Sequence, residues 1–280
     1  MSALSDFLEG KRGPLVWIEP AGYAAKAFAG GDADWMADTS SVVANLSQAN
    51  AALKSAVLTV DLSALLLGDA LTPDADDPLS AAEDLLESDA VIRSAQDIAK
   101  AAEHTLGGRV DLVLGLPSPA TLLRRCGAAG DEPLGFDDMD DAGAALANFL
   151  RQFSEQKFSG IMLRSEASEA EAEDELDTLG AIVSTARHYR WHSMLRVDGG
   201  MAPSTAAEAS VDLLLLPQLP PGAFANGFSD GGTRLGGGLS AAFWQGEDFS
   251  ELGSDALLYG DAPGDIEPEA VLARAATLPR

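Results

Sequence analysis

The sequence predicts an α/β protein built as a single (β/α)8 barrel, and three observations lead there. The chain has 280 residues, close to the roughly 250 that one such barrel needs. Eight short apolar runs recur along it, mostly separated by stretches with helical periodicity. No repeat of fixed period and no linker divides the chain, so it reads as one domain over residues 1–280 with residues 1–13 as a polar lead-in carrying one short helix.

Pro14 to Pro20, PLVWIEP, is the first strand, with Glu19 at its end. Gly22 and the Gly30, Gly31, Asp32 cluster mark a loop, after which Trp35, Met36, Val42, Val43, Leu46 and Leu53 form the stripe of a helix over 34–54. Ala56 to Asp61, AVLTVD, is the second strand, again closed by a carboxylate. The segment Leu62 to Pro78 holds Asp69, Asp74, Asp76 and Asp77, and reads as either a lid or an acidic excursion. Ser80 to His104 is helical, with Leu85, Leu86, Val91, Ile92 and Ile98 on one side.

Arg109 to Gly127, RVDLVLGLPSPATLLRRCG, is the most readable passage. Val110 to Leu114 is apolar except for Asp111, as a strand covered on both faces should be. Gly115 and Pro117 are expected to stop it, and Ser118 before Pro119 is the N-cap and first-turn pairing that opens a helix. A strand running through such a turn into a helix start is where α/β proteins place ligands.

Phe136 to Phe158 is helical and Ser159 to Glu166, SGIMLRSE, is the fourth strand. Glu169 to Arg190 is a helix with an acidic first turn and with Arg187 and Arg190 in its last, which suits the macrodipole. Ser193 to Asp198 and Val211 to Pro217 are strands five and six. Leu219 to Gly232 is loop-like, Thr233 to Ser240 is strand seven, Asp255 to Gly260 is strand eight, and Pro268 to Leu278 is the closing helix. The helices after strands six and seven are short or absent.

Composition narrows the function. A net charge of −26, from 44 acidic and 18 basic residues, opposes binding to nucleic acid or to an anionic membrane surface. No apolar run reaches the roughly 20 residues of a membrane helix, and MSALSDFLEGKR lacks the order of a signal peptide, so a cytoplasmic location is expected. Cys126 stands alone, which rules out a disulfide framework and a multi-cysteine zinc site. The Arg124 and Arg125 charges would depress its thiol pKa if it were reactive, while the other reading is a small helix residue facing the core.

In a barrel, ligand residues lie just past the C-terminal ends of the strands. Those positions hold Glu19, Asp61, Ser118, Arg164 with Glu166, Arg196 with Asp198, Gln218, Ser240 and Asp261. Such a ring suits acid and base work if burial or like-charge proximity raises one carboxylate; the same residues also serve simply as helix caps. His188 and His192 have the i, i+4 spacing of some zinc ligands, but the helix-to-strand junction falls between them. GGGLS at 236–240 has no following Lys, and no dinucleotide fingerprint is present. Neither a metal nor a cofactor is expected.

Five segments, in order, resemble the uroporphyrinogen decarboxylase family and its wider barrel superfamily, which includes methionine-synthase-type methyltransferases. WIEPAGYAAKAF resembles that family's Arg-Gln-Ala-Gly-Arg-Tyr stretch, and AVLTVDL its strand ending in Ser-Asp-Ile. GLPSPATLL resembles its turn after strand three, RLGGGLSA its Gln-Gly-Asn-Leu-Asp-Pro turn, and LLYGDAPGDIEPE its C-terminal Gly-His-Gly segment before Pro-Glu. The resemblance implies a catalytic role for Asp61, which falls on the family's aspartate, and a homodimer. The departures imply a changed substrate. Glu19 and Tyr23 stand where the family has arginines for substrate carboxylates, Arg125 where it has its tyrosine, and Asp261 where it has a histidine. An anion in place of a cation beside a carboxylate means repulsion on the order of several kcal/mol at an effective dielectric of about 20. The expectation is a cofactor-free lyase or decarboxylase acting on a small molecule less anionic than a porphyrinogen. Asp61 and Arg125 would be catalytic, and Glu19, Tyr23, Ser118, Arg164, Glu166, Arg196, Asp198, Ser240 and Asp261 would bind substrate. A non-catalytic binding barrel is the alternative from another class. The methyltransferase branch would need a zinc site of His and more than one Cys.

Overall fold

The apolar runs become strands and the periodic stretches become helices. In chain order these are α1 (Ala3–Leu8), β1 (Leu15–Glu19), α2 (Ala21–Ala27), α3 (Thr39–Leu53), β2 (Val57–Asp61), α4 (Ser63–Leu66), α5 (Pro78–Glu87), α6 (Asp89–Leu106) and β3 (Asp111–Pro117). There follow α7 (Pro119–Arg125), α8 (Phe136–Leu150), β4 (Gly160–Ser165), α9 (Ala172–Thr178), α10 (Gly180–His188), β5 (His192–Val197) and α11 (Pro203–Ala206). The last are β6 (Leu213–Leu215), β7 (Arg234–Gly238), α12 (Ala241–Trp244), β8 (Leu257–Asp261) and α13 (Pro268–Ala275). The structure, a computed structural model, describes residues 2–30, 39–66, 71, 73–74, 76–129, 133–223, 234–249 and 252–279.

All eight strands are parallel, in the order β1-β8-β7-β6-β5-β4-β3-β2. The edges β1 and β2 face each other across a seam, where the Ala56 amide donates to the Val16 carbonyl at 3.0 Å and the Ile18 amide to Ser55 Oγ at 2.9 Å. The result is a single, nearly closed (β/α)8 barrel.

Alternation along each strand separates two cores. Outward residues pack beneath the helices. Inward residues, among them Leu15, Trp17, Val57, Val113, Met162, Met194, Leu213 and Leu257, fill the barrel and exclude water from it. Gly236 explains the glycine run of β7: a Cβ there would lie 2.5 Å from Leu257 and 2.7 Å from Leu215, so those two leucines already occupy its space.

Several expectations change. Residues 1–13 are more than a polar lead-in, since α1 inserts Leu4 and Phe7 into the bottom of the barrel, where both are buried. Ser2 Oγ and the Leu4 amide anchor it to Asp111 Oδ2 at 2.9 and 2.7 Å. Gly22 lies inside a helix, α2, because that helix passes so close to the chain after β8 that a Cβ would sit 2.6 Å from the Ala262 carbonyl. Strand β3 continues through Gly115 to Pro117. There Gly115 gives room rather than a turn, as its Cβ would meet Thr59 at 2.9 Å and Asp61 at 3.1 Å.

The helix over 80–104 breaks at Ser88, whose extended backbone ends α5 and starts α6. The one over 169–190 divides at Leu179 into α9 and α10. Ser118 caps α7 as expected, accepting from the Thr121 amide. Within 62–78, Ser63–Leu66 is helical, while residues 67–70, 72 and 75 lie outside the described residues, as does 224–233. Among the described residues no helix is long and apolar enough to cross a membrane.

Candidate active site

Continuing the inward alternation toward the C-terminal ends of the strands converts the apolar barrel into a polar mouth. Trp17 is followed by Glu19, Thr59 by Asp61, Met162 by Arg164, Met194 by Arg196 and Asp198, and Tyr259 by Asp261. Strand register sets their heights, aligning Glu19 with Asp261 and Arg164 with Arg196. The sequence-expected Glu19, Asp61, Arg164, Arg196, Asp198 and Asp261 are thus brought into one ring.

The two arginines have different tasks. Arg196 is buried and its guanidinium is fully engaged: Nε reaches both oxygens of Asp198 at 2.8 Å, Nη1 reaches Tyr259 at 2.9 Å and Asp261 at 2.8 Å, and Nη2 reaches Asp261 at 2.7 Å. Arg164 is looser. Its Nε lies 3.0 Å from Asp61 Oδ2 and its Nη1 3.9 Å from Asp198 Oδ2. Nε nevertheless has no aligned acceptor, so Arg164 is an ion-pair partner with donors to spare. Burial acts to lower both guanidinium pKa values, but for Arg164 the Asp61 charge, and for Arg196 the Asp261 and Asp198 carboxylates, outweigh it and hold both cations charged.

Asp61 is divided between two tasks. Oδ1 accepts from the Ser63 amide at 2.8 Å at the start of α4, while Oδ2 faces Arg164. Both Asp61 and Arg164 side chains are about a quarter exposed, at 24% and 23%. Beneath them Glu19 is buried, its Oε1 accepting from Thr59 Oγ1 at 2.5 Å and from the Tyr259 hydroxyl at 3.3 Å. Burial pushes the Glu19 carboxyl upward against the pull of Arg164 and Arg196, and pushes the Tyr259 phenol well above its ordinary range. A buried carboxyl pushed upward by desolvation therefore sits under an ionic rim, a separation of environments that supports acid and base roles in one site.

The remaining expected residues lie elsewhere. Tyr23 is a core residue, buried edge-on against Phe28 at 5.9 Å. Ser118 is wholly buried and committed to the α7 cap and to Thr121 Oγ1 at 2.9 Å, which leaves it nothing to offer a ligand. Arg125, at the end of α7, pairs with both oxygens of Glu166 at 2.8 Å, and the two side chains are half exposed; the structure pairs Asp61 with Arg164 instead. Ser240 is buried at the N-cap of α12 with its Oγ unpartnered, and Gln218 is exposed. Cys126 is buried in the core, as its core-facing reading expects, and desolvation pushes its thiol up to about 11 despite the neighbouring arginines.

His188 ends α10 and His192 opens β5 at the opposite end of the barrel, 3.0 Å from Ser5 Oγ, so the i, i+4 pair is split. Among the described residues no three His, Cys, Asp or Glu side chains are placed to hold a metal ion. With Cys126 buried and its thiol raised, the described residues do not fit the zinc site of the methyltransferase branch. Thr59 and Tyr259 are the site residues that the strand-end rule missed. Each lies two residues before an expected carboxylate on the same strand, so period-2 alternation finds both.

No family model matches the chain, and no curated protein matches it. Among solved structures it is similar to the GH20 catalytic modules of the pneumococcal exo-β-D-N-acetylglucosaminidase StrH, with 10% identity and a TM-score of 0.46 over 97% of this chain and 82% of that one. It is also similar to the homocysteine methyltransferase MmuM from Escherichia coli in its metallated form, with 14% identity and a TM-score of 0.48 over 97% of this chain and 98% of that one.

Proposed function

We propose that this chain is an enzyme of the uroporphyrinogen-decarboxylase-like barrel type, a cofactor-free lyase or decarboxylase that acts on a small carboxylic acid. The observation that carries the reading is the Asp61–Arg164 pair, 3.0 Å apart and partly open at the barrel mouth, above the Glu19 carboxyl, which burial pushes upward. Arg196 is saturated by Asp198, Asp261 and Tyr259, which leaves Arg164 as the ring cation with donors for a ligand. One guanidinium with spare donors among several carboxylates suits one substrate carboxylate and repels a polyanion.

In the decarboxylation, Arg164 orients the acid with the scissile C–C bond over Asp61. That bond breaks, its electron pair stays on the substrate carbon, and carbon dioxide leaves. Asp61, reloaded from solvent, passes a proton to that carbon. Glu19 supports the floor of the site through its contacts to Thr59 and Tyr259.

The test is carbon dioxide release from a panel of small mono- and dicarboxylic acids. With a substrate found, Asp61→Asn is expected to lower kcat by about a hundredfold or more, the usual weight of a proton-transferring group. Arg164→Gln is expected to raise KM by about tenfold to a hundredfold, the weight of a charge-assisted contact. Unchanged turnover in Asp61→Asn, or tight binding of a porphyrinogen, would overturn the reading. A binding barrel without turnover is favoured by one contact, the Asp61 Oδ1 bond to the Ser63 amide. In that case ligands raise Tm, none is turned over, and Asp61→Asn loses stability instead of rate.

A further inference from the structure

At the N-terminal end of the barrel, opposite the ring, two clefts of about 340 and 510 Å³ adjoin and share Ala3, Ala56 and Arg109 in their walls. The smaller is lined by Arg12, Lys54 and Arg109 and, among the described residues, by no carboxylate. All three side chains are exposed, and none makes a hydrogen bond or ion pair with a described residue. Lys100, Arg187 and Arg190 are likewise exposed without such a partner, so what sets Arg12, Lys54 and Arg109 apart is that they line one cleft together. Elsewhere Lys26 meets Glu267, Arg125 meets Glu166 and Arg274 meets Asp248. Lys157, on the wall of the larger cleft, lies 4.0 Å from Glu103.

The helix macrodipole accounts for part of the cluster, since Lys54 and Arg109 follow the C-terminal ends of α3 and α6, but it acts only over the last turn. Arg12 lies in the connection between α1 and β1, beyond that reach, and still converges on the same cleft. Lys54 also holds a left-handed backbone at φ 56°, a conformation that glycine adopts freely and lysine does not. A strained lysine, an arginine outside any helix and an arginine shared by two clefts therefore surround one cationic hollow. Its size is within the range that encloses a small molecule.

We propose that this hollow binds a small multivalent oxyanion, with the two guanidiniums forking onto its oxygens and Lys54 acting as a point charge. The shared chemistry is a compact group of two or more negative charges, from either phosphate or clustered carboxylates. The site lies at the far end of the barrel from Asp61 and Arg164, and it does not depend on the function proposed for them.

The experiment is calorimetric titration of the full chain with pyrophosphate and with citrate, each against sodium chloride of matched ionic strength. One-to-one binding of at least one probe is expected, weakened tenfold or more in an Arg12→Gln/Lys54→Gln/Arg109→Gln variant and less in Arg109→Gln alone, with Tm unchanged because the side chains are exposed. Binding of pyrophosphate alone assigns phosphate, and binding of citrate alone assigns carboxylates. Three outcomes overturn the proposal: binding of neither probe beyond the salt control, equal binding by the triple variant, or loss in Arg164→Gln with retention in the triple variant, which would place the anion in the ring.

Discussion

Glu19 shows how far position changes a side chain of ordinary chemistry. In the unfolded chain its carboxyl titrates near the ordinary value of 4.5, whereas in the barrel burial raises it, with Arg164 and Arg196 pulling the other way. Below that value folded and unfolded states both hold the proton, and the group contributes no pH dependence. Above it the unfolded state releases the proton while the folded state must keep it or bury a charge, so stability falls with rising pH until the folded value is passed. Glu19→Gln removes this titration and keeps the acceptor for Thr59 and Tyr259. Urea denaturation between about pH 4 and 8 should therefore show the variant gaining on the parent as pH rises, then levelling off. A difference that stays flat would mean that the arginines offset burial completely. The ring carboxylates and arginines were legible in the sequence because each ends an apolar strand. What separates Asp61 from Ser118 is not legible that way: one more residue of chain turns a strand-end side chain from the barrel mouth to a helix cap.

At the scale of elements, strand identity was legible because an apolar run too short for a helix, set between polar segments, buries both faces only as a covered strand, and all eight runs form strands. Helix ends were less so. Ser88 interrupts a stretch whose periodicity continues across it, because its extended backbone, rather than any change of apolar pattern, separates α5 from α6. The largest departure is α1, whose Leu4 and Phe7 sit among polar neighbours and carry too little pattern to announce a plug. Phe7 is 2% exposed and packs inside the barrel, with the Arg234 guanidinium 5.1 Å from its ring. Phe7→Ala should therefore cost about 3–5 kcal/mol, the range for deleting a buried aromatic side chain. Chemical denaturation checks this. A loss below about 1 kcal/mol would show that α1 rests on the barrel without holding it closed.

For the whole molecule the governing quantity is the net charge of −26, which places self-repulsion in every folded state and favours expansion. Much of the acid surplus is solvated on the helices: α8 begins with Asp137 and Asp138, and α9 carries Glu173, Asp174 and Glu175 in its first turn, of which Glu175 alone is buried. Added salt screens two opposed interactions. It weakens exposed ion pairs such as Arg125–Glu166 and Arg274–Asp248, which contribute little individually, and it weakens repulsion among many more like charges separated by about a Debye length. The Arg196 cluster is screened less, because its guanidinium is buried while only its carboxylates reach solvent. Repulsion should dominate, so Tm should rise as sodium chloride increases from about 0.05 to 0.5 M, where the Debye length becomes shorter than the spacing between surface carboxylates. A rise of at least about 2 °C corresponds to roughly 1 kcal/mol for a chain of this size. Chloride is the right anion because its single charge is a poor match for the three-cation hollow, so the shift reports screening and not occupancy. A fall in Tm would instead mean that the rim pairs, Arg125–Glu166 above all, contribute more to the fold than the acid surplus costs it.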